Sequence, residues 1–419
     1  MRTGGAWKWG SATVLLLFAC LSGCAGTGNG NTTIPASAQV DTYVGTQYST
    51  GTLQGVYSLT TDHTTNYFSL TDVSPNSDDA EDFNYVGNLT AASPQFQNMN
   101  VTETAAPALG GTPLMLEVPG DAAIVELNFR GTLPPVVFAG SNGCQTVTGS
   151  TTYQLIQLDS HIQESYGTIT VNRGQNNWTF SNFDLLQVDG TDNKPAALNT
   201  GVCAQAAEGF ATSIPVTVDG QPLSYTVAIS PNGYFIMDRD QGEETASQAA
   251  SQALEEPLVG VAQPSSPLNT SSLMAANYAG FEYDGAAGSP QVSGRNLVDQ
   301  PVSFSGSNAT QTQMVGGTFP NGDPTQTPGA NIKVNLGAQS PTSNGLYPAA
   351  AVTFPDPSSR CVSTPNGGMD ASGNPTCTFK AVAVAGDPDG KYVLYLTVLN
   401  PLSNSAASTS TIQLLLYQQ

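Results

Sequence analysis

An all-β fold is predicted for this 419-residue chain by three observations. Short segments of period-two alternation recur along it, turn residues punctuate them, and no long stretch of helical period competes. Val56-Tyr57-Ser58-Leu59 and Tyr67-Phe68-Ser69-Leu70 read as a hairpin with Asp62-His63-Thr64-Thr65-Asn66 at its tip. Leu114-Met115-Leu116-Glu117-Val118 leads through Pro119-Gly120-Asp121 to Val125-Glu126-Leu127-Asn128-Phe129, whose apolar and polar side chains fall on opposite faces. Thr168-Ile169-Thr170-Val171 and Trp178-Thr179-Phe180 flank a polar turn around Gly174. The clearest hairpin joins Ser224 to Ile229 with Tyr234 to Met237 through Pro231-Asn232-Gly233. Toward the C-terminus, Ile332 to Leu336, Tyr392 to Leu399 and Ile412 to Tyr417 are β-branched or aromatic enough for strands.

One interval breaks the pattern. Residues 241–256 are rich in Ala, Gln, Glu and Ser, and Pro257 and Gln263-Pro264-Ser265-Ser266-Pro267 follow. A short helix and a linker over 241–271 are expected there, separating a β domain at 38–240 from a second at 272–419. Both lengths are ordinary for a domain. Each is expected to be an antiparallel barrel or sandwich, and alternation alone does not choose between them. Thr42-Tyr43-Val44-Gly45 is echoed by Asn277-Tyr278-Ala279-Gly280 near the start of the second domain, a weak hint of duplication.

The N-terminus carries the most specific signal. Arg2 and Lys8 precede an apolar run, Val14-Leu15-Leu16-Leu17-Phe18-Ala19, which ends at Leu21-Ser22-Gly23-Cys24. This segment resembles the lipobox of bacterial lipoprotein precursors. The resemblance implies removal of residues 1–23 as a signal peptide and acylation of Cys24 with palmitate-type chains. Residues 24–37 then read as a flexible tether. Each buried acyl methylene contributes about 0.8 kcal/mol, so several chains hold a protein at a bilayer essentially permanently. In that family an Asp after the acylated cysteine favours the inner membrane; here the residue is Ala25, and the outer membrane is expected. The resemblance covers about two dozen residues and implies a location, not an activity.

Composition agrees with life outside the cytosol. Charged residues make up 10% of the chain, and 32 acidic side chains outnumber 11 basic ones. Such a surface repels phosphate, so nucleic acid is not an expected partner. With Cys20 in the signal and Cys24 acylated, Cys144, Cys203, Cys361 and Cys377 remain. An even number in an oxidising compartment predicts two disulfides, and pairing 144 with 203 and 361 with 377 keeps each bridge within one expected domain.

The chain has no G-x-S-x-G, H-E-x-x-H or P-loop pattern. Its two histidines, His63 and His161, read as turn residues hydrogen-bonded to neighbouring backbone. The acidic clusters Asp78-Asp79-Ala80-Glu81-Asp82 and Asp387-Pro388-Asp389-Gly390 lack the full calcium-loop pattern and read as solvated turns. No catalytic residue, metal or cofactor is therefore expected. The function expected is that of a lipid-anchored cell-envelope lipoprotein with a binding or structural role, meeting an envelope protein or glycan. Two alternatives remain: a lipocalin-like carrier of a small apolar ligand, and a carbohydrate-active hydrolase using paired carboxylates.

Overall fold

Three eight-stranded rings of antiparallel strands organise the described residues of the computed structural model. It describes residues 40–47, 55–72, 84–104, 111–127, 135–141, 149–158, 165–173, 177–187, 201–206, 209–218, 221–240, 257–284, 299–306, 313–329, 331–357, 359, 361–400 and 410–419. The first barrel comprises β1 (Val40–Gln47), β2 (Gly55–Asp62), β3 (Tyr67–Asp72), β4 (Asn84–Ala91), β5 (Phe96–Thr104), β6 (Leu114–Val118), β7 (Ala122–Glu126) and β8 (Val136–Gly140). It runs in chain order and closes where β8 pairs with β1.

The second barrel comprises β9 (Gly149–Gln157), β10 (Ser165–Arg173), β11 (Asn177–Gln187), β12 (Gly201–Ala206), β13 (Gly209–Val218), β14 (Gln221–Ile229), β15 (Tyr234–Asp240) and β16 (Leu258–Ala262), and closes between β16 and β9. The third sheet contains β17 (Tyr278–Asp284), β18 (Asp299–Ser305), β19 (Met314–Thr318), β20 (Ile332–Asn335), β21 (Leu346–Pro355), β22 (Gly367–Met369), β23 (Pro375–Gly386), β24 (Val393–Asn400) and β25 (Ser410–Gln418). Pairing of β21 with β23 and of β17 with β25 makes eight of these strands a ring, and the three residues of β22 extend the edge of β23.

The expected all-β class is present, and the rings decide for barrels over sandwiches. The expected boundary at residue 240 requires correction, because it falls inside the second barrel. Leu258–Ala262, read as linker, is that barrel's closing strand. Its five residues are apolar or glycine and four are buried, so it shows no alternation, and the flanking prolines disguised it. The helix expected within 241–256 lies outside the described residues. A short helix, α1 (Thr270–Ala275), follows the second barrel, and the Asn269 side chain caps it by accepting from Ser272 N. Leu273 and Met274 carry it into the core of the third barrel, where the Tyr278 hydroxyl donates to Leu273 O at 2.8 Å.

The echo between Thr42–Gly45 and Asn277–Gly280 has a structural counterpart that extends to all three barrels. Tyr43, Tyr153 and Tyr278 each lie on the first strand of a barrel, belong to that barrel's interior and are fully buried. Each stands opposite the last residue of the closing strand: Gly140, Ala262 and Gln418 respectively. Gly280 also owes its identity to packing, since a Cβ there would meet Leu415 O at 1.8 Å.

Alternation along the strands divides the apolar residues into four clusters. Three fill the barrel interiors. The fourth is built from the opposite faces of strands in all three barrels: Val44, Phe96 and Ile124 meet Ile156, Tyr234 and Val261, and Phe281, Tyr395 and Tyr417. The Phe96 ring packs edge-on against Phe281 and Phe319, with centroids 5.5 and 6.0 Å apart. Polar ties reinforce this shared core. Asn232 donates twice to Asp121 (2.7 Å from Nδ2, 3.2 Å from N), Thr46 donates to Asp238, and Gln154 donates to Ser343 Oγ and Asn344 O at 2.8 and 2.7 Å. Residues Ala38–Gln419 accordingly form one unit.

Glu126 lies on the β7 face that carries Ala122 and Ile124, and burial pushes its carboxyl up to about 8. The folded protein thus keeps a proton that the unfolded chain releases above about 4.5. Stability is expected to fall as pH rises from about 4.5 toward 8 on this account, and to flatten above it. Urea midpoints at pH 5 and pH 8 check this: the drop in the wild type should shrink in Glu126→Gln.

Candidate functional site

The polar residues that depart most from a barrel interior gather at one end of the first barrel. On β1, Asp41 shares the inward face of Tyr43; on β2, Thr61 shares that of Tyr57 and Leu59; on β6, Glu117 shares that of Met115. Asp62 caps the turn after β2 by accepting from Thr64 N at 2.8 Å and from Thr65 Oγ1 at 2.8 Å. That turn brings His63 over the barrel mouth.

Glu117 is the centre of the cluster, and its side chain is 2% exposed. Its Oε1 accepts from the Tyr43 hydroxyl at 2.6 Å and from Thr61 Oγ1 at 2.9 Å, and lies 3.2 Å from His63 Nε2. Gln97 Nε2 donates to Oε2 at 3.3 Å. Tyr43 in turn accepts from Gly120 N at 3.0 Å, which locks its hydroxyl toward Glu117. Asp41 Oδ2 lies 3.7 Å from His63 Nε2.

Electrostatics follow from this geometry. Burial, and then the charge of Glu117, raise the Asp41 carboxyl above its usual range, with His63 opposing. The hydrogen bond to Glu117 raises the His63 imidazole above 6.5, against partial burial. Burial and Glu117 also push the Tyr43 phenol upward. One ligand atom each from Asp41, His63 and Glu117 lies within 4.8 Å of the others, a spacing that suits a proton shared between imidazole and carboxylates or a small cation. It does not suit a sugar. Two carboxylates this close approach the separation used in retaining glycoside hydrolysis, but His63 stands between them and Glu117 is buried with four donors around it.

The expected role of His63 therefore needs correcting. It is a turn residue, but its ring faces two side-chain carboxylates rather than neighbouring backbone. Sequence reading also missed Asp41 and Glu117. Leu114-Met115-Leu116-Glu117-Val118 reads from sequence as a strand before the Pro119 turn, and nothing in it marks Glu117 as a site residue. Both faces of β6 are buried: Leu114 and Leu116 enter the shared core, and Met115 and Glu117 the barrel. The available signal was the polar residue recurring in phase with an apolar partner on each of β1, β2 and β6.

Of the expected disulfides, Cys361–Cys377 is present, with Cα atoms 5.5 Å apart. It joins the third barrel's interior beside Phe354 and Phe379. Asp356 prepares it by accepting from Cys361 N at 2.7 Å. Cys144, Cys24, His161 and the 78–82 cluster lie outside the described residues, and Cys203 is described only as backbone of β12. Asp387–Gly390 forms the expected turn, closed by Gly390 N donating to Asp387 O at 3.0 Å, just before β24.

No family model and no curated protein matches the chain. Among solved structures, it is similar to a tryptophan-to-alanine mutant of the vaccine antigen Transferrin Binding Protein B from Haemophilus parasuis. The two are 8% identical, the match covers 92% of this chain and 76% of that one, and the TM-score is 0.28. At that score the likeness supports no statement about this chain.

Proposed function

We propose that the protein is a lipid-anchored cell-envelope lipoprotein that works by binding or as a structural element, tethered to the outer membrane through Cys24. The observation that carries this reading is the filling of all three barrels. Tyr57, Phe68 and Phe138 occupy the first, Tyr153, Trp178 and Phe235 the second, and Tyr347, Phe354 and Phe379 the third, all at most 1% exposed. An eight-stranded barrel is just wide enough for side chains to fill. A carrier of the lipocalin kind needs that space for its ligand, so the outer faces and loops are the surfaces left for an envelope protein or glycan. The buried, fully engaged Glu117 weighs against the hydrolase reading in the same way.

The anchor rests on Leu21-Ser22-Gly23-Cys24 and is tested at that residue. Expressed in a bacterium with an outer membrane, the wild-type protein should partition into detergent and yield an N-terminal peptide beginning at Cys24 with acyl mass added. Cys24→Ser should lose that mass and leave the membrane fraction. An unmodified terminus starting at any other residue would refute the tether.

A further inference from the structure

Inside the second barrel, the last residue of β10 poses a problem that no other described group solves. Arg173 is 6% exposed and shares the inward face of Ile169 and Val171, yet its Nε and Nη1 have no hydrogen-bond partner among the described residues. Directly opposite on β11 stands Trp178, 1% exposed, whose indole Nε1 is likewise without an acceptor. Tyr153 of β9 projects into the same interior, fully buried; Thr151 lies near enough to its hydroxyl to lower the phenol as a hydrogen-bonding neighbour, but the hydroxyl itself meets no acceptor within hydrogen-bond geometry. Burial raises the Tyr153 phenol, and the charge of Arg173 and then Thr151 oppose it.

A guanidinium withdrawn from water without a counter-charge costs several kcal/mol, and each orphaned donor beside it adds to that. No carboxylate pairs with Arg173 among the described residues, although the chain carries 32 acidic residues against 11 basic ones. Every unsatisfied group named here can donate, and one of them bears a permanent positive charge. Across β9, the register partner of Arg173 is Gly149, which offers no side chain there, and among the described residues no atom beyond its chain neighbours comes within 4 Å of where one would begin.

We propose that Arg173, Trp178 and Tyr153 form a binding site for a small oxyanion, a carboxylate or phosphate group, seated at the β9–β10–β11 end of the second barrel. The guanidinium supplies charge, and the indole N–H and phenol O–H supply direction. This site is independent of the membrane tether and of the cluster in the first barrel. A filled lumen does not contradict it, because the anion occupies the donor-lined end and not the apolar centre.

The test titrates the full chain, with Trp7 and Trp9 replaced by Phe so that Trp178 is its one tryptophan, excited selectively over the tyrosines, at constant ionic strength in chloride. Inorganic phosphate, sulfate and acetate are separate probes. At least one should produce a saturable change in fluorescence and raise Tm by a few degrees, as expected for a ligand that binds only the folded state. The probe that responds tells a free inorganic anion from a carboxylate group. Arg173→Met should abolish both responses while melting no lower than the unliganded parent, since an apolar side chain removes the unpaired charge. Trp178→Phe, followed by Tm, should weaken binding about five-fold. The proposal is overturned if no probe gives a saturable response. It is also overturned if Arg173→Met responds like its parent, or melts lower with no response to lose.

Discussion

Replacing Phe96 with alanine is expected to destabilise the protein by about 4 kcal/mol, and to do so in all three barrels at once. Phe96 is fully buried, but it does not face the interior of its own barrel. Its ring fits edge-on between Phe281 and Phe319 of the third barrel, within the cluster that also holds Ile156, Tyr234 and Val261 of the second. Truncation removes the transfer energy of the ring and leaves a cavity that backbones fixed in three closed rings cannot collapse to fill. Trp178 reports on the second barrel, which Phe96 does not belong to. In urea, the fluorescence of Trp178 and the circular dichroism of the sheets should shift to lower denaturant together in Phe96→Ala. A shift in the sheet signal with an unchanged Trp178 midpoint would mean that the shared core does not couple the barrels.

Glu117→Ala is expected to cost about 3 to 5 kcal/mol, comparable with breaking a buried ion pair by removing one member. Four donors converge on this carboxylate from Tyr43, Thr61, His63 and Gln97, and alanine leaves all of them facing a gap. Glu117→Gln keeps the shape and one acceptor oxygen, so it should cost less and act chiefly on His63. The sign of the pH effect follows from the raised imidazole. The interaction stabilises fully below the unfolded value of 6.5 and is lost as pH rises through the higher folded value. Chemical-shift titration should therefore place His63 above 6.5 in the wild type and move it down in Glu117→Gln, leaving the weaker pulls of Asp41 and Asp62. A midpoint that does not move would show that Glu117 does not set the charge of His63.

How far the fold was legible depends on whether a strand has one buried face or two. Strands with a solvent face, such as β10 with its Thr168-Ile169-Thr170-Val171, announce themselves by alternation. Strands that border the shared core do not. Leu258–Ala262 and Leu114–Val118 put side chains into a barrel on one face and into the shared core on the other, and their sequences turn nearly continuous in hydrophobicity. That is why β16 falls within the expected linker and why nothing in β6 marks Glu117 as an interior residue. The hairpins joining β2 to β3 and β14 to β15 were readable because Asp62 to Asn66 and Pro231-Asn232-Gly233 carry turn chemistry in the chain itself.

The cluster of Asp41, His63 and Glu117 was illegible for a different reason. Its members are separated by up to 76 positions and meet only because β1 and β2 pair and the ring closes through β8. No local spacing encodes that meeting. The inward tyrosines Tyr43 and Tyr278 were visible as an echo, but their equivalence, and the membership of Tyr153, appear only when each is set opposite the last residue of its closing strand.

The central claim is that three barrels, joined by one apolar core, form a single cooperative unit. Differential scanning calorimetry of the protein tests it most directly. Cooperative coupling through the shared core predicts one heat-absorption peak, with calorimetric and van't Hoff enthalpies equal. Two or three separable peaks, each with its own barrel's enthalpy, would contradict it.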